Sequence, residues 1–250
     1  MIALSVNINK IALIRNSREG NNPDLIDYAQ QCINFGANGI TVHPRPDQRH
    51  IRAQDCLALK NLSDGQVEFN IEGNPYAKPM SSSRADVADY PGLMALLSEC
   101  QPAQATLVPD SDAQLTSDHG FDLSGDNAEL ADIIQEIKHY GCRVSLFMDP
   151  DCQQIEQAAS IGADRVELYT GPYAWSDNHA ESFIAYNRAA AFATSLGLGV
   201  NAGHDLNLDN LAVFSKLTGL LEVSIGHAIT VDALQMGLEQ TIQAYLSLLK

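Results

Sequence analysis

The 250-residue chain is poor in positive charge: 15 Lys and Arg stand against 31 Asp and Glu, for a formal net charge of −16. So acidic a chain repels the phosphates of nucleic acid and of anionic membrane surfaces, and neither is expected as a partner. It has no apolar run near the roughly 20 residues of a membrane-spanning helix. Its start, Met1-Ile2-Ala3-Leu4-Ser5-Val6, carries neither the basic segment nor the cleavage site of a secretory signal, so the cytoplasm is the expected compartment. Cysteine is scarce and odd in number. Cys32, Cys56, Cys100, Cys142 and Cys152 include no C-x-x-C pair, so neither a disulfide framework nor a zinc site is expected. Asp110, Asp112, Asp118 and Asp122 crowd one segment without the spacing or Gly turn of a calcium loop, so no metal is expected.

What the chain does have is 45% apolar residues, enough for a sizeable core and too many for a disordered polymer. Strand-like runs at 2–8, 39–43, 67–72, 105–108, 143–148, 165–169, 198–202 and 221–225 are enriched in β-branched residues. They alternate with helix-like runs near 23–35, 55–62, 93–98, 127–140, 153–160, 181–195, 209–216 and 231–249. Gly36-Ala37, Gly141, Gly162-Ala163 and Gly197 fall where helices must stop. Eight such units with no linker predict one (β/α)8 TIM barrel domain over residues 1–250, with a doubly wound open sheet as the alternative. Two connections, near 73–90 and 109–126, are long enough to serve as lids or substrate-contacting loops.

The charge is uneven. Residues 1–52 hold six cations (Lys10, Arg15, Arg18, Arg45, Arg49, Arg52) and four acids, leaving nine cations and 27 acids elsewhere. This pattern fits a local anion pocket or a chance cluster on a solvated loop. Position adds more. Asn7 and Asn9 end the first predicted strand, His43 and Arg45 the second, Glu72 the third, Asn201 and His204 the seventh, and Gly226-His227 the eighth. The carboxyl ends of barrel strands form one mouth, where barrel enzymes carry their chemistry. Histidine titrates near neutrality, so His43 and His204 suit proton transfer in either direction. Glu72, desolvated among barrel side chains, would hold its proton more tightly than a free carboxylate; the plainer reading is an acid paired with an Arg. Arg18, Arg45 and His50 would form an anion clamp, and Gly203 and Gly226 would let backbone approach a second phosphate. His119, His139 and His179 have no partner in the pattern and are read as surface residues.

The segments Val6-Asn7-Ile8-Asn9-Lys10, Thr41-Val42-His43-Pro44-Arg45-Pro46-Asp47-Gln48-Arg49-His50-Ile51, Phe69-Asn70-Ile71-Glu72, Asn201-Ala202-Gly203-His204 and Ile225-Gly226-His227-Ala228 resemble the pyridoxine 5′-phosphate synthase family, in order and over almost the whole chain. The resemblance implies a transferase/synthase of vitamin B6 biosynthesis. Its reaction condenses 1-deoxy-D-xylulose 5-phosphate with 3-amino-2-oxopropyl phosphate to pyridoxine 5′-phosphate, phosphate and water. By position it implies His43 as the first proton acceptor, Glu72 as the second acid/base and His204 as the proton donor. Arg18, Arg45, His50 and Thr116 match positions that hold the deoxyxylulose phosphate, and Asn7, Asp205, Gly226 and His227 match positions around the aminoketone phosphate. No cofactor is implied, the partners are the small phosphorylated substrates, and a symmetric homo-oligomer of the octamer-of-dimers type is expected.

Four features depart from the family pattern. Asn9-Lys10 replaces the family's common Asp-His, with Lys10 still able to meet a phosphate or carbonyl oxygen. Asp205 stands where Gly is common, Asp110-Ser111-Asp112 where basic residues are common, and the loop after Glu72 is longer. Two other functions stay open from the residues: a phosphosugar aldolase or isomerase barrel, and a non-catalytic barrel that binds a phosphorylated B6 compound. The three proton-transfer groups argue against a mere binder.

Overall fold

The computed structural model describes residues 1–250 and closes eight parallel strands into a barrel in sequence order. The strands are β1 (Ala3–Asn7), β2 (Gly39–Val42), β3 (Glu68–Gly73), β4 (Gln104–Leu107), β5 (Arg143–Met148), β6 (Arg165–Tyr169), β7 (Gly199–Gly203) and β8 (Leu220–Ile225). Closure is direct: Ser5 of β1 registers with Gly39 of β2 on one side and Ser224 of β8 on the other. The predicted barrel is therefore the fold, and the open sheet is excluded.

Helices cover the outside: α1 (Asn9–Asn16), α2 (Leu25–Asn34), α3 (Ala53–Ser63), α4 (Leu93–Cys100), α5 (Ala128–His139), α6 (Cys152–Ser160), α7 (Gly171–Ala174), α8 (His179–Ser195), α9 (Leu211–Phe214), α10 (His227–Met236) and α11 (Leu238–Leu248). Side-chain caps start several of them. Asp24 accepts from the backbone N–H groups of Ile26 and Asp27, and Asp151 from those of Gln153 and Gln154. No helix is long and apolar enough to cross a membrane.

Three differences from the predicted elements have local causes. Asn9 does not end the first strand but opens α1 with Lys10 behind it, and the buried face of Ile11, Ala12 and Arg15 follows helical spacing. The predicted final helix is two, broken at Gly237, whose φ of +84° is left-handed backbone that Gly adopts at no steric cost. The helix predicted at 209–216 is a single turn, α9.

The outward face of the strands is apolar and joins the helices in one core of 55 buried residues, including Leu4, Val6, Ile40, Val42, Ile71, Val144, Leu146, Val166 and Val223. Four of the five cysteines, Cys32, Cys56, Cys100 and Cys142, are buried there as free thiols. The inward face is polar. A lower belt runs from Glu68 through Arg143, Gln104 and Asn201 to Arg165 and Glu222, each neighbour within hydrogen-bonding distance. Above it, Ser5, Thr41, Asn70, Thr106 and Glu167 form a second hydrogen-bonded series. Buried polar groups that satisfy each other avoid the cost of lost hydration.

Candidate active site

Above the second series, at the carboxyl ends of the strands, opens a cavity of about 350 Å³ to which every strand or its following loop contributes. Such a volume suits small metabolites. His43, which directly follows β2, has Nδ1 4.0 Å from Glu72 Oε2 on β3 and Nε2 4.0 Å from Asp110 Oδ2 in the loop after β4. It is buried, and burial pushes its pKa well below the usual imidazole range, helped by the charges of Arg45 and Arg49. The ring is therefore neutral and free to accept a proton. Glu72 is shifted the other way: burial raises its pKa well above the carboxylate range, and Glu167, Asp110 and Glu222 add to the rise. It accepts a 3.4 Å hydrogen bond from the Asn7 amide. Asn7 Oδ1 in turn takes the Asn9 backbone N–H at 3.0 Å, and Asn9 Oδ1 takes that of His43 at 2.9 Å. These two amides lock the ends of β1, β2 and β3 in register.

The loop between β2 and α3 supplies the basic side of the cavity. Arg15, buried on α1, makes two bonds to Asp55 of α3 at 2.8 and 2.9 Å and a third to the carbonyl of His50, fixing that loop from behind. His50 Nδ1 accepts the Ile51 backbone N–H at 2.9 Å, which leaves the ring proton on Nε2. Burial, then Arg45 and Arg49, lowers its pKa to about 3, so it stays neutral and offers one donor. Arg45 pairs with the buried Asp110 carboxylate, and burial raises the Asp110 pKa against the pull of Arg45. Arg45 and Arg49 also donate to the carbonyls of Ser111, Asp112 and Gln114, pinning the long loop over the mouth. That loop carries Thr116, whose hydroxyl lies 2.9 Å from His204 Nε2. Lys10, half-buried in the first turn of α1, completes the basic edge.

Of the residues singled out in the sequence, Asn7, Asn9, Lys10, His43, Arg45, His50, Glu72, Thr116, His204, Asp205, Gly226 and His227 line this one cavity. Two do not. Arg18 is exposed beyond the end of α1, away from the clamp expected of it. Asn201 does not end β7; it sits mid-strand in the lower belt, bonded to Arg165 and Gln104. Gly226 does approach closely, since a Cβ there would lie 2.8 Å from the Asn7 carbonyl oxygen, and α10 starts at the next residue. Of the histidines set aside, His119 and His139 are exposed, while His179 is half-buried against Tyr173.

Glu167 was not anticipated. It projects from β6 toward the cavity, 3% exposed, with its pKa pushed up to about 8 by burial and then by Glu222. Gly203 opposite makes room for it: a Cβ there would stand 2.3 Å from Glu167 Oε1. The one sequence signal, an acid between Val166 and Leu168 on the inward register, is the same as ordinary strand alternation and does not single it out.

With this geometry in place, similarity to known proteins is decisive. Residues 4–250 match the family described as pyridoxal phosphate biosynthesis protein PdxJ. The chain belongs to the PdxJ family. Among PdxJ relatives, the pyridoxine 5′-phosphate synthase of Xanthomonas campestris pv. campestris (strain B100) is 55% identical over 98% of this chain and 95% of its own. That of Xylella fastidiosa (strain M12) is 52% identical over 98% and 94%. Two solved structures of low sequence identity share the barrel alone. Phosphoribosyl anthranilate isomerase from Thermotoga maritima superposes with a TM-score of 0.61 at 11% identity, covering 100% of this chain and 98% of its own. A 4-hydroxy-2-oxoglutarate aldolase/2-deydro-3-deoxyphosphogluconate aldolase gives 0.57 at 16%, covering 99% and 94%. Identities this low carry fold and not chemistry.

Proposed function

We propose that this PdxJ member is a cytoplasmic pyridoxine 5′-phosphate synthase that joins 1-deoxy-D-xylulose 5-phosphate to 3-amino-2-oxopropyl phosphate, with release of phosphate and water. The observation that carries the reading is the convergence of His43, Glu72 and His204, from the ends of β2, β3 and β7, on one cavity. Imine formation, phosphate elimination, ring closure and dehydration each take a proton from one atom and give one to another, and positioned side chains accelerate such transfers by about 10²–10⁴ each.

The roles follow from protonation state. Neutral His43 takes the first proton from the substrates, and Glu72, holding a proton at rest, passes it to oxygen and recovers it in the later steps. His204 donates to the departing oxygen. Arg45, the His50 N–H, Lys10 and the Thr116 hydroxyl receive the deoxyxylulose phosphate, which competes with Asp110 for the Arg45 guanidinium. The free N–H groups at the start of α10, beside Gly226 and His227, receive the aminoketone phosphate together with Asn7. Arg18 remains outside that set in a single chain, and we assign the working protein to a symmetric homo-oligomer.

The test is direct. Purified protein is mixed with both substrates and the product followed by mass. Pyridoxine 5′-phosphate that requires both substrates supports the reading. Well-folded protein that makes none overturns it: turnover of one sugar phosphate alone would favour an aldolase or isomerase, and tight ligand binding without turnover a non-catalytic barrel.

A further inference from the structure

Asp205 is poorly suited to binding phosphate through its side chain, because a carboxylate repels an anion. Its geometry fits another task. After Gly203 the backbone turns left-handed for two residues that carry side chains, with φ of +87° at His204 and +59° at Asp205. This conformation is unfavourable for L-residues and persists where the surroundings demand it. It brings Asp205 Oδ2 to 3.1 Å from His204 Nδ1. That nitrogen is buried and off the line of a good hydrogen bond, and no other polar group meets it. A lone pair on Nδ1 would face the lone pairs of a carboxylate, so the proton belongs on Nδ1.

The rest of the ring is held too. Nε2 faces the Thr116 hydroxyl at 2.9 Å, and the Tyr169 ring stands edge-on at 5.3 Å between centroids. Tyr169 in turn packs edge-on against Trp175, the one tryptophan of the chain, at 6.3 Å. The Asp205 carboxyl is held below the usual carboxylate range chiefly by His204, against its partial burial, with help from Trp175 and His227.

We propose that Asp205 is a positioning residue for His204, holding the imidazole with its proton on Nδ1, stabilising the imidazolium and presenting Nε2 as the donating atom. The assignment rests on the reading of His204 as proton donor. The imidazolium gives its Nε2 proton to the departing oxygen, which leaves as water or phosphate, and the N–H electron pair stays on Nε2. The ring returns neutral with Nδ1–H still facing Asp205, which remains ionised throughout, and Nε2 takes its next proton from water. Acid–histidine pairs act this way in other hydrogen-bonded catalytic sets.

Two variants of the full chain test this. Asp205→Gly removes the carboxylate while relieving the left-handed backbone, so a structural role alone predicts equal or better stability and unchanged kcat. Positioning predicts a kcat lower by about 10- to 100-fold, as for loss of an orienting partner, with KM for both substrates within about twofold. Asp205→Asn, whose amide oxygen can still face Nδ1–H, should recover part of kcat. Nitrogen NMR of ¹⁵N-histidine protein, with the His204 signals assigned by their loss in His204→Gln, should show Nδ1–H in the parent and a shift toward Nε2–H in Asp205→Gly. Parental kcat in the Gly variant, or an unchanged tautomer, would overturn the proposal. Absence of pyridoxine 5′-phosphate from the parent protein would instead overturn the assigned reaction, and the tautomer would still decide the pairing.

Discussion

On β3, Phe69 and Ile71 face the helices and join the 55-residue core, while Asn70 and Glu72 face the lumen and join hydrogen bonds and the cavity. The same division runs around the barrel: Leu4 and Val6 against Ser5 and Asn7, Val166 and Leu168 against Arg165 and Glu167, Val223 and Ile225 against Glu222 and Ser224. Barrels of this class usually fill the lumen with branched apolar side chains. Here the closed apolar layer between strands and helices carries the fold, and the lumen is left for charge. The only apolar inward cluster, Val108, Phe147 and Tyr169, lies at the upper rim beside the cavity. Separating the two jobs by strand face means that neighbours in sequence should fail in different ways.

The sharpest break of that comparison uses adjacent residues. Glu72→Gln keeps shape and removes the ionisable proton. We expect kcat to fall by at least about a hundredfold, with a thermal midpoint equal to or above that of the parent, because a desolvated acid is gone. Ile71→Ala, one residue earlier on the other face, should do the reverse. It opens a cavity in the core and costs about 3 kcal/mol by denaturant unfolding, with kcat of the folded protein within about threefold. Loss of stability in the first variant, or of turnover in the second, would show the faces to be coupled.

A smaller effect separates the lumen from the core by pH. Burial raises the Glu222 pKa to about 7, in spite of Arg165, against 4.5 when free. The folded state thus holds this proton more tightly than the unfolded chain. Its contribution is fully present below pH 4.5 and is lost as pH rises toward about 7, a change on the order of 3 kcal/mol. Glu222→Gln cannot ionise. Its stability relative to the parent should climb between pH 4.5 and 7 and level off above, as read from urea midpoints. A difference independent of pH would mean that Arg165 and the lower belt keep Glu222 ionised throughout.

The same contrast explains what the sequence discloses. The barrel is legible because its outward residues are β-branched and its helices end at glycines, both local signals. Most of the candidate site is legible because polar residues at strand ends have no packing role to obscure them. Glu167 is hidden mid-strand, where an inward polar face looks like an ordinary alternation and only closure of the barrel brings it beside Glu72. Arg18 and Arg15 trade places for the opposite reason. Both are arginines near the end of α1; Arg15, inside the helix, turns in to Asp55, while Arg18 falls beyond its last turn and is exposed. The splitting of the final helix depended on a single glycine inside an otherwise continuous apolar pattern.

The mildest test concerns the lid, where the polar lumen meets solvent. Thr116 is exposed, yet its hydroxyl is bonded to His204 Nε2 across 88 residues of chain. Thr116→Val keeps the β-branched shape and removes only that bond. Single neutral hydrogen bonds contribute about 1 kcal/mol net, so the expected loss is about three- to tenfold in kcat/KM for 1-deoxy-D-xylulose 5-phosphate, with no change in thermal midpoint. An effect confined to KM would place Thr116 on the bound phosphate. An effect confined to kcat would place it on the proton transfer proposed for His204, making the loop part of the lumen's chemistry. No effect at all would assign closure of the mouth to the grip of Arg45 and Arg49 on the loop carbonyls, which the substitution leaves intact.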